Sequence, residues 1–238
     1  NGRSIVYDEA TKTFTFAVEY TVSAGSFGVY NDTFTLPGGG EEPSSALYMI
    51  GQDFGAWDWT SDGVVTMTPV NSHEGAFWTT RYFTAGNGFK FCQKREWNGD
   101  FFSLGNDSGY TMSGGNCVVE KDGVYTVYVD LNNSIIAVEP AAIYGIGECF
   151  GGWDVHNAEN LFAAQEQTLV SPSLVLDGEI RMYAAAPSAI NEYYSVEWWQ
   201  MEFNIYDGVI VYRGADGDQE RVLGYLGQQV TLDLNAGT

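Results

Sequence analysis

Between Thr13 and Val22 apolar and polar side chains alternate. Phe14, Phe16, Val18, Tyr20 and Val22 share one face, and Thr13, Thr15, Ala17, Glu19 and Thr21 share the other. A period of two predicts a strand with one face buried. A second strand is expected over Thr33 to Leu36. From Pro37 to Ser45 the pattern breaks into three glycines, two acids and two serines set around prolines, which reads as a linker. Residues 1–43 are therefore expected to be either a strand pair or a truncated immunoglobulin-like segment, followed by that linker.

Beyond the linker the chain repeats itself. Ala46-Leu-Tyr-Met-Ile-Gly51-Gln-Asp-Phe-Gly55-Ala-Trp57-Asp58 aligns with Ala142-Ile-Tyr-Gly-Ile-Gly147-Glu-Cys-Phe-Gly151-Gly-Trp153-Asp154. Tyr48/Tyr144, Ile50/Ile146, Phe54/Phe150 and Trp57/Trp153 coincide at one offset. Further on, Phe89-Lys90-Phe91 corresponds to Ile180-Arg181-Met182, a strand whose middle residue is basic. Val129-Asp130-Leu131-Asn132 corresponds to Leu232-Asp233-Leu234-Asn235, read as the end of each unit's last strand. Each copy is about a hundred residues, the size of a β-sandwich. The expected repeats are 44–140 and 141–238.

Asp-Gly pairs punctuate the strand-like runs. Asp207-Gly208 between Met201–Tyr206 and Val209–Arg213, and Asp122-Gly123 between Val118–Lys121 and Val124–Leu131, both predict two-residue hairpins. One short helix is expected over Ala158 to Gln165. The predicted fold class is all-β, with tandem β-sandwich domains of immunoglobulin-like or carbohydrate-binding-module-like type.

Charge narrows the function. Ten Lys and Arg against 31 Asp and Glu leave a formal charge of −21, which opposes nucleic acid and anionic lipid surfaces. Only 17% of residues are charged and 15% are aromatic, so the chain is not a disordered acidic tail. No apolar run is long enough for a transmembrane segment. The polar start shows no signal peptide, so the protein is either cytosolic or has lost a targeting segment; its composition favours export. Cys92, Cys117 and Cys149 do not form a disulfide framework; a Cys92–Cys117 pair is conceivable, but buried thiols fit better. Neither zinc spacing nor an EF-hand-like calcium run occurs, and no cofactor or metal is expected.

Gly145-Ile-Gly147-Glu-Cys-Phe-Gly151-Gly152 superficially resembles a nucleotide loop. It lacks a following Lys-Ser/Thr, and Glu148 would repel phosphate. No nucleophile elbow occurs, and the two histidines, His73 and His156, fall at non-equivalent positions, so catalysis is not expected. Duplication suits multivalent binding instead. The informative clusters mix aromatic and polar residues: Lys90-Phe-Cys-Gln-Lys94-Arg95-Glu-Trp97-Asn98-Gly-Asp100 in repeat one, and Arg181-Met-Tyr183 with Asn191-Glu-Tyr193-Tyr194-Ser-Val-Glu-Trp198-Trp199 in repeat two. An exposed indole can stack on the C–H face of a pyranose while cations and amides bond its hydroxyls. Trp57 and Trp153, in apolar turn contexts, are expected in the core.

At Trp198-Trp199-Gln-Met-Glu-Phe203-Asn, Tyr212-Arg213-Gly214 and Gly217-Asp218-Gln219-Glu-Arg221-Val222, with the Tyr48 and Tyr144 openings, the chain resembles the SusE/SusF family. These are surface lipoproteins of starch-utilisation-type glycan-uptake systems. The resemblance implies tandem non-catalytic modules that bind a neutral, starch-like or other oligo- or polysaccharide at the bacterial outer membrane. It also implies contact with other glycan-uptake proteins of that membrane. By position it carries the family's binding roles to Lys90 and Trp97, and to Arg181 with Trp198 or Trp199. Arg95, Asn98, Asp100, Tyr183 and Tyr193 complete the candidate set. The lipid-accepting N-terminal cysteine of the family is absent from this sequence. A surface scaffold that binds other lipoproteins is the alternative reading.

Overall fold

The computed structural model describes residues 3–8, 13–22, 26–35, 46–97, 99, 109–207, 209–214 and 222–234. The chain divides into two units, Asn1–Ser44 and Ser45–Thr238. In the first, β1 (Arg3–Asp8), β2 (Thr13–Val22) and β3 (Ser26–Thr35) form an antiparallel meander. The alternating run is β2. The strand expected from Thr33 begins instead at Ser26, and its Gly28, Asn31 and Asp32 conceal it in the sequence. Continuous pairing with β2, from Thr13 opposite Thr35 to Val22 opposite Ser26, overrides their poor strand propensity. Leu36 and the Pro37–Ser45 linker lie outside the described residues.

The second unit holds both repeats. Repeat one comprises β4 (Tyr48–Gly51), β5 (Val65–Thr66), β6 (Thr68–Pro69), β7 (Ala76–Phe83), β8 (Phe89–Cys92), β9 (Thr111–Ser113), β10 (Asn116–Val118), β11 (Gly123–Asp130) and β12 (Ile135–Pro140). They form two sheets, β5-β4-β8-β10-β9 and β12-β11-β7-β6. Repeat two comprises β13 (Ile143–Ile146), β14 (Ala163–Gln165), β15 (Thr168–Val170), β16 (Gly178–Ala184), β17 (Glu202–Tyr206), β18 (Val209–Tyr212), β19 (Val222–Gly224) and β20 (Thr231–Asp233). Its sheets are β13-β16-β17-β18, with β19 also on β16, and β14-β15-β20. The fold is all-β, as the patterning predicts. The internal alignment is reproduced in the pairing: Ile50 faces Lys90 across β4 and β8, and Ile146 faces Arg181 across β13 and β16.

The β12-β11-β7 sheet is buried on both faces. Phe77 and Phe83 of β7, Val127 and Val129 of β11, and Ile136 and Val138 of β12 fill repeat one's own core. The alternate residues Ala76, Trp78, Val124, Tyr128, Ile135 and Ala137 pack against Ile143, Met182, Phe203 and Leu232 of repeat two. An antiparallel sheet with one wet face would show polar residues at every second position. β11 and β12 instead read as nearly continuous apolar runs because each repeat covers one face, while β7 keeps Thr79, Thr80 and Arg81 among its buried residues. Trp78, 1% exposed, sits edge-on to Tyr212 at 5.3 Å and near Phe203 at 6.5 Å.

A polar cluster pins the same boundary. The buried Asp130 carboxylate accepts from the Asn132 and Asn133 backbone N–H groups, from the Asn133 side chain and from the Tyr194 hydroxyl at 2.8 Å. His73 Nε2 lies 3.2 Å from it, with its ring stacked on Tyr194 at 4.3 Å. Burial alone would raise the acid's pKa. The hydrogen bonds from Asn133 and Tyr194 and the charge on His73 outweigh it and hold Asp130 below the ordinary aspartate value. Tyr128 and Tyr194 exchange a hydroxyl contact of 2.8 Å, and burial raises both phenols. Glu139 of β12 meanwhile accepts from the Ser188 and Ala189 backbones of repeat two.

Several expectations are corrected. Asp122-Gly123 does not close a hairpin: β10 pairs with β8 and β9, whereas β11 pairs with β7 and β12. The chain crosses between sheets there, and the Asp122 carboxylate accepts the Ala85 N–H at 2.7 Å. The Asp207 hairpin does form, with Tyr206 opposite Val209 and Asp207 at φ 51°. Ala158–Gln165 is not a helix but a single 3-10 turn, Ala158–Asn160, followed by β14. Asn157 accepts the Glu159 N–H at its start, and a turn this short has no apolar stripe to extend. Nor is β11 the last strand of its repeat, because Asp130 turns the chain back into β12. All three cysteines are buried thiols.

Replacing Trp78 by alanine should cost about 3–5 kcal/mol. Denaturant melts of parent and variant should each show one transition for 45–238; two separated transitions would mean that the repeats fold independently. For Asp130→Asn we expect a loss of about 2 kcal/mol at neutral pH. Because the folded-state pKa is depressed, the parent's advantage is complete above the ordinary aspartate value of 3.8. It falls away as pH drops from there through Asp130's own lower value, so parent and variant melting curves should converge in acid.

Candidate functional site

Three of the five repeat-two candidates, Arg181, Trp198 and Trp199, converge on one open cleft. Trp153, Arg181, Trp198, Trp199 and Arg213 line a volume of about 460 Å³. Four elements deliver them, with Arg213 directly following β18. The glycine turn after β13 supplies Trp153, with Gly147 at φ 107°, Gly151 at φ 82° and Gly152 at φ 155°. Gly147 cannot carry a side chain, because a Cβ there would lie 2.5 Å from the Glu179 carbonyl oxygen. Arg181 comes from β16, where Ile180, Met182 and Ala184 point into the core and leave the odd-numbered residues on the cleft side. Trp198 and Trp199 open a 3-10 turn, Trp198–Met201, closed by a capping box. In it the Glu197 side chain accepts the Gln200 N–H, and Gln200 Oε1 accepts the Glu197 N–H at 2.8 Å.

Arg181 and Arg213 are fixed by one buried carboxylate. Glu202, 1% exposed at the start of β17, accepts from Arg181 Nη1 at 2.9 Å on Oε1 and from Arg213 Nη1 at 2.8 Å on Oε2. Glu179 accepts from Arg181 Nε at 2.8 Å. Each guanidinium also addresses an indole: Arg181 Cζ lies 6.0 Å from the Trp153 ring centroid and Arg213 Cζ 5.2 Å from that of Trp199. The result is a wall of rings alternating with cations whose direction is set by charge-assisted bonds. Such a surface can stack on the apolar face of a ring and donate N–H bonds to hydroxyls around its edge. Its two cations and two carboxylates leave it with no net charge to select an acidic ligand.

Two members of the candidate set lie elsewhere. Tyr183 is fully buried, its ring stacked on Tyr144 at 5.7 Å and its oxygen accepting the His156 N–H at 2.7 Å. Burial pushes its pKa up to about 12, so it stays a neutral phenol. It backs Trp198 at 6.0 Å. Tyr193 is exposed but does not line the cleft.

In repeat one the aromatic cluster is built differently. Trp97, 53% exposed, lies 6.2 Å from Trp57 with the rings 31° apart, and meets the edge of buried Trp59 at 5.4 Å. Lys90 is half-buried on β8, at the position Arg181 holds in β16. Arg95 turns back to donate to the Trp59 carbonyl at 3.0 Å and the Ser61 carbonyl at 2.6 Å. It staples the loop beneath Trp97. Trp57 and Ala56 both sit in the left-handed region, at φ 65° and 49°, where non-glycine backbone is disfavoured. Asn98 and Asp100 lie outside the described residues.

Trp153, expected in the core, is instead half exposed and forms one wall of the cleft. Its apolar sequence context comes from Cys149 and Phe150, which are buried; the glycine pair after them turns the chain outward. Arg213 and Glu202 are not in the candidate set either. Their signal is a lone acid at the start of an apolar strand and a lone cation at the end of the strand that pairs with it.

Comparison with known proteins places this architecture. A family model described as SusF/SusE starch specific CBMs matches residues 46–137 and again 142–238. Outer membrane protein SusF of Bacteroides thetaiotaomicron is 33% identical over 232 residues, an alignment covering 90% of this chain and 46% of SusF. The crystal structure of SusF from the same organism superposes with a TM-score of 0.75 at 26% identity, covering 98% of this chain and 64% of that one. The chain thus spans about half the length of its curated relative. Both repeats, matched separately by one model, show that the chain belongs to the SusF/SusE family of starch-binding modules.

Proposed function

We propose that the protein holds a neutral, starch-like glycan at the bacterial outer-membrane surface without cleaving it, supporting uptake of that glycan. The observation that carries this reading is the repeat-two cleft, where Trp153, Trp198 and Trp199 alternate with Arg181 and Arg213. Stacking on an indole contributes about 1 kcal/mol beyond area burial, and guanidinium N–H groups bond hydroxyls. A site of this kind is individually weak, with a Kd on the order of micromolar to millimolar. A second aromatic cluster around Trp57 and Trp97 on the same rigid unit raises avidity for a polymer without any new contact. Family membership supports starch as the glycan and the outer membrane as the location, since the matched relative is named an outer membrane protein.

One observation favours a scaffold role alongside. Val175, Leu176, Leu223, Tyr225 and Leu226 are all more than half exposed. The loops carrying them are joined by bonds from Leu226 N–H to Asp177 and from Gly227 N–H to the Leu174 carbonyl. Exposed apolar side chains on two hydrogen-bonded loops suit contact with another protein of an uptake complex.

Affinity electrophoresis through amylopectin tests the glycan reading. Trp199→Ala and Trp153→Ala should each weaken retardation about fivefold, and Trp97→Ala should weaken it independently. Unchanged migration in all three would refute it, and release of reducing ends by the parent would refute the non-catalytic part. A second check uses charge. With a formal charge of −21 the protein should ignore polygalacturonate at low salt while binding amylopectin. Equal retardation by both polymers would contradict a neutral ligand.

A further inference from the structure

We infer that Asn71, a residue of repeat one, is a positioning residue for the glycan cleft of repeat two, so that this cleft is built across the repeat boundary. The inference rests on the reading of the cleft as a glycan site.

Asn71 lies in the turn between β6 and β7 and is 7% exposed. Its hydrogen bonds all cross to repeat two. Its backbone N–H donates to the Gln200 carbonyl at 3.1 Å, and its own carbonyl accepts from Gln200 Nε2 at 2.7 Å. Its side-chain Nδ2 donates to the Arg213 carbonyl at 2.9 Å.

These partners belong to two separate elements that line the cleft. Gln200 directly follows Trp198 and Trp199 and closes the capping box that shapes their turn. Arg213 ends the strand opposite β17, and its backbone N–H donates to the Glu202 carbonyl at 3.0 Å. One buried residue thus ties the Trp198–Met201 turn to the Arg213 backbone, and both to the other repeat. The same turn reaches a third point, because His73 stacks on Tyr194, four residues before Trp198.

The side-chain bond is the specific part. A 3-10 turn of four residues has little stability of its own. Neutral acceptors such as the Arg213 carbonyl need an N–H donor, which asparagine supplies and aspartate does not. A loosened Arg213 backbone would let the guanidinium and Trp199 drift from the spacing that a stacked, hydrogen-bonded sugar requires. The backbone bonds to Gln200 survive substitution of Asn71, so the turn should persist while its spacing to Arg213 relaxes.

The test uses the whole chain in a Trp97→Ala background, with maltoheptaose titrated by isothermal calorimetry. Asn71→Ala and Asn71→Asp should each weaken binding about fivefold to tenfold. Val70→Ala, a neighbouring core truncation (Val70 is 3% exposed), serves as the control for general destabilisation. It should lower the melting temperature while keeping affinity within about twofold. The inference is overturned if Asn71→Ala binds as the background does. It is equally overturned if Val70→Ala loses as much affinity for the same loss of melting temperature, or if Asn71→Asp retains full affinity. Trp199→Ala in the same background separates the two levels: if it binds normally, the glycan reading itself has failed and the inference falls with it.

Discussion

Burial of one sheet from both sides is the constraint on which the second unit depends. β7, β11 and β12 are covered on both faces, so the apolar residues of Ala76–Phe83, Val124–Val129 and Ile135–Val138 must suit one of two cores. That removes the freedom of two beads on a string. Neither repeat can expose its side of the sheet without uncovering Trp78, Tyr128 and Ile135, or Phe77, Val127 and Ile136, at roughly 1.5–3 kcal/mol for each side chain brought into water. The polar bonds at the boundary follow from the same burial. Asp130, Glu139 and Asn71 lie where the two repeats seal, and each carries partners because an unmet polar group there would be expensive.

The repeat-two cleft solves a related electrostatic problem. A protein of charge −21 must place cations where a ligand can reach them without leaving them to wander among thirty-one acids. Glu202 answers this by sitting fully inside and engaging Arg181 and Arg213 through separate oxygens. Such a buried triad adds little net stability, since its desolvation cost offsets most of its attraction. What it fixes is direction: two long, rotatable side chains become a rigid edge beside the indoles. Truncating Glu202 would remove the one carboxylate that both guanidinium groups share.

How much of this was legible follows from where each signal lies. The duplication could be read because Tyr48, Ile50, Phe54 and Trp57 recur at one offset as Tyr144, Ile146, Phe150 and Trp153, and pairing of Ile50 with Lys90 and of Ile146 with Arg181 repeats it in space. The convergence of Arg181, Trp198 and Trp199 could be anticipated from an aromatic run near a lone cation. The position of Trp153 could not, since its local sequence matches a buried turn and only the conformation of Gly151 and Gly152 turns it outward. Tyr183 misled for the converse reason. Its alternation with Met182 correctly puts it on the cleft face of β16, but Tyr144, His156 and Trp198 then cover it. The Asp122-Gly123 pair carried a real turn signal, and only tertiary pairing decides that the strands on either side of it enter different sheets.

The two aromatic clusters are not copies in their chemistry, and this bears on how the unit would engage a polymer. Repeat one offers a lysine where repeat two has an arginine, Ala56 held at positive φ where repeat two has Gly152, and an indole on a loop stapled by Arg95 where repeat two uses a capped turn. A lysine is a hydrated point charge, whereas arginine presents a planar fork that keeps its donors aligned. The repeat-two cleft should therefore be the more selective for the orientation of a sugar ring, and the repeat-one cluster the more tolerant. If both clusters meet one glycan chain, as proposed above, the first would fix how the chain lies and the second would keep it close. That pairing needs a fixed spacing between the sites, which the doubly buried sheet between the repeats supplies.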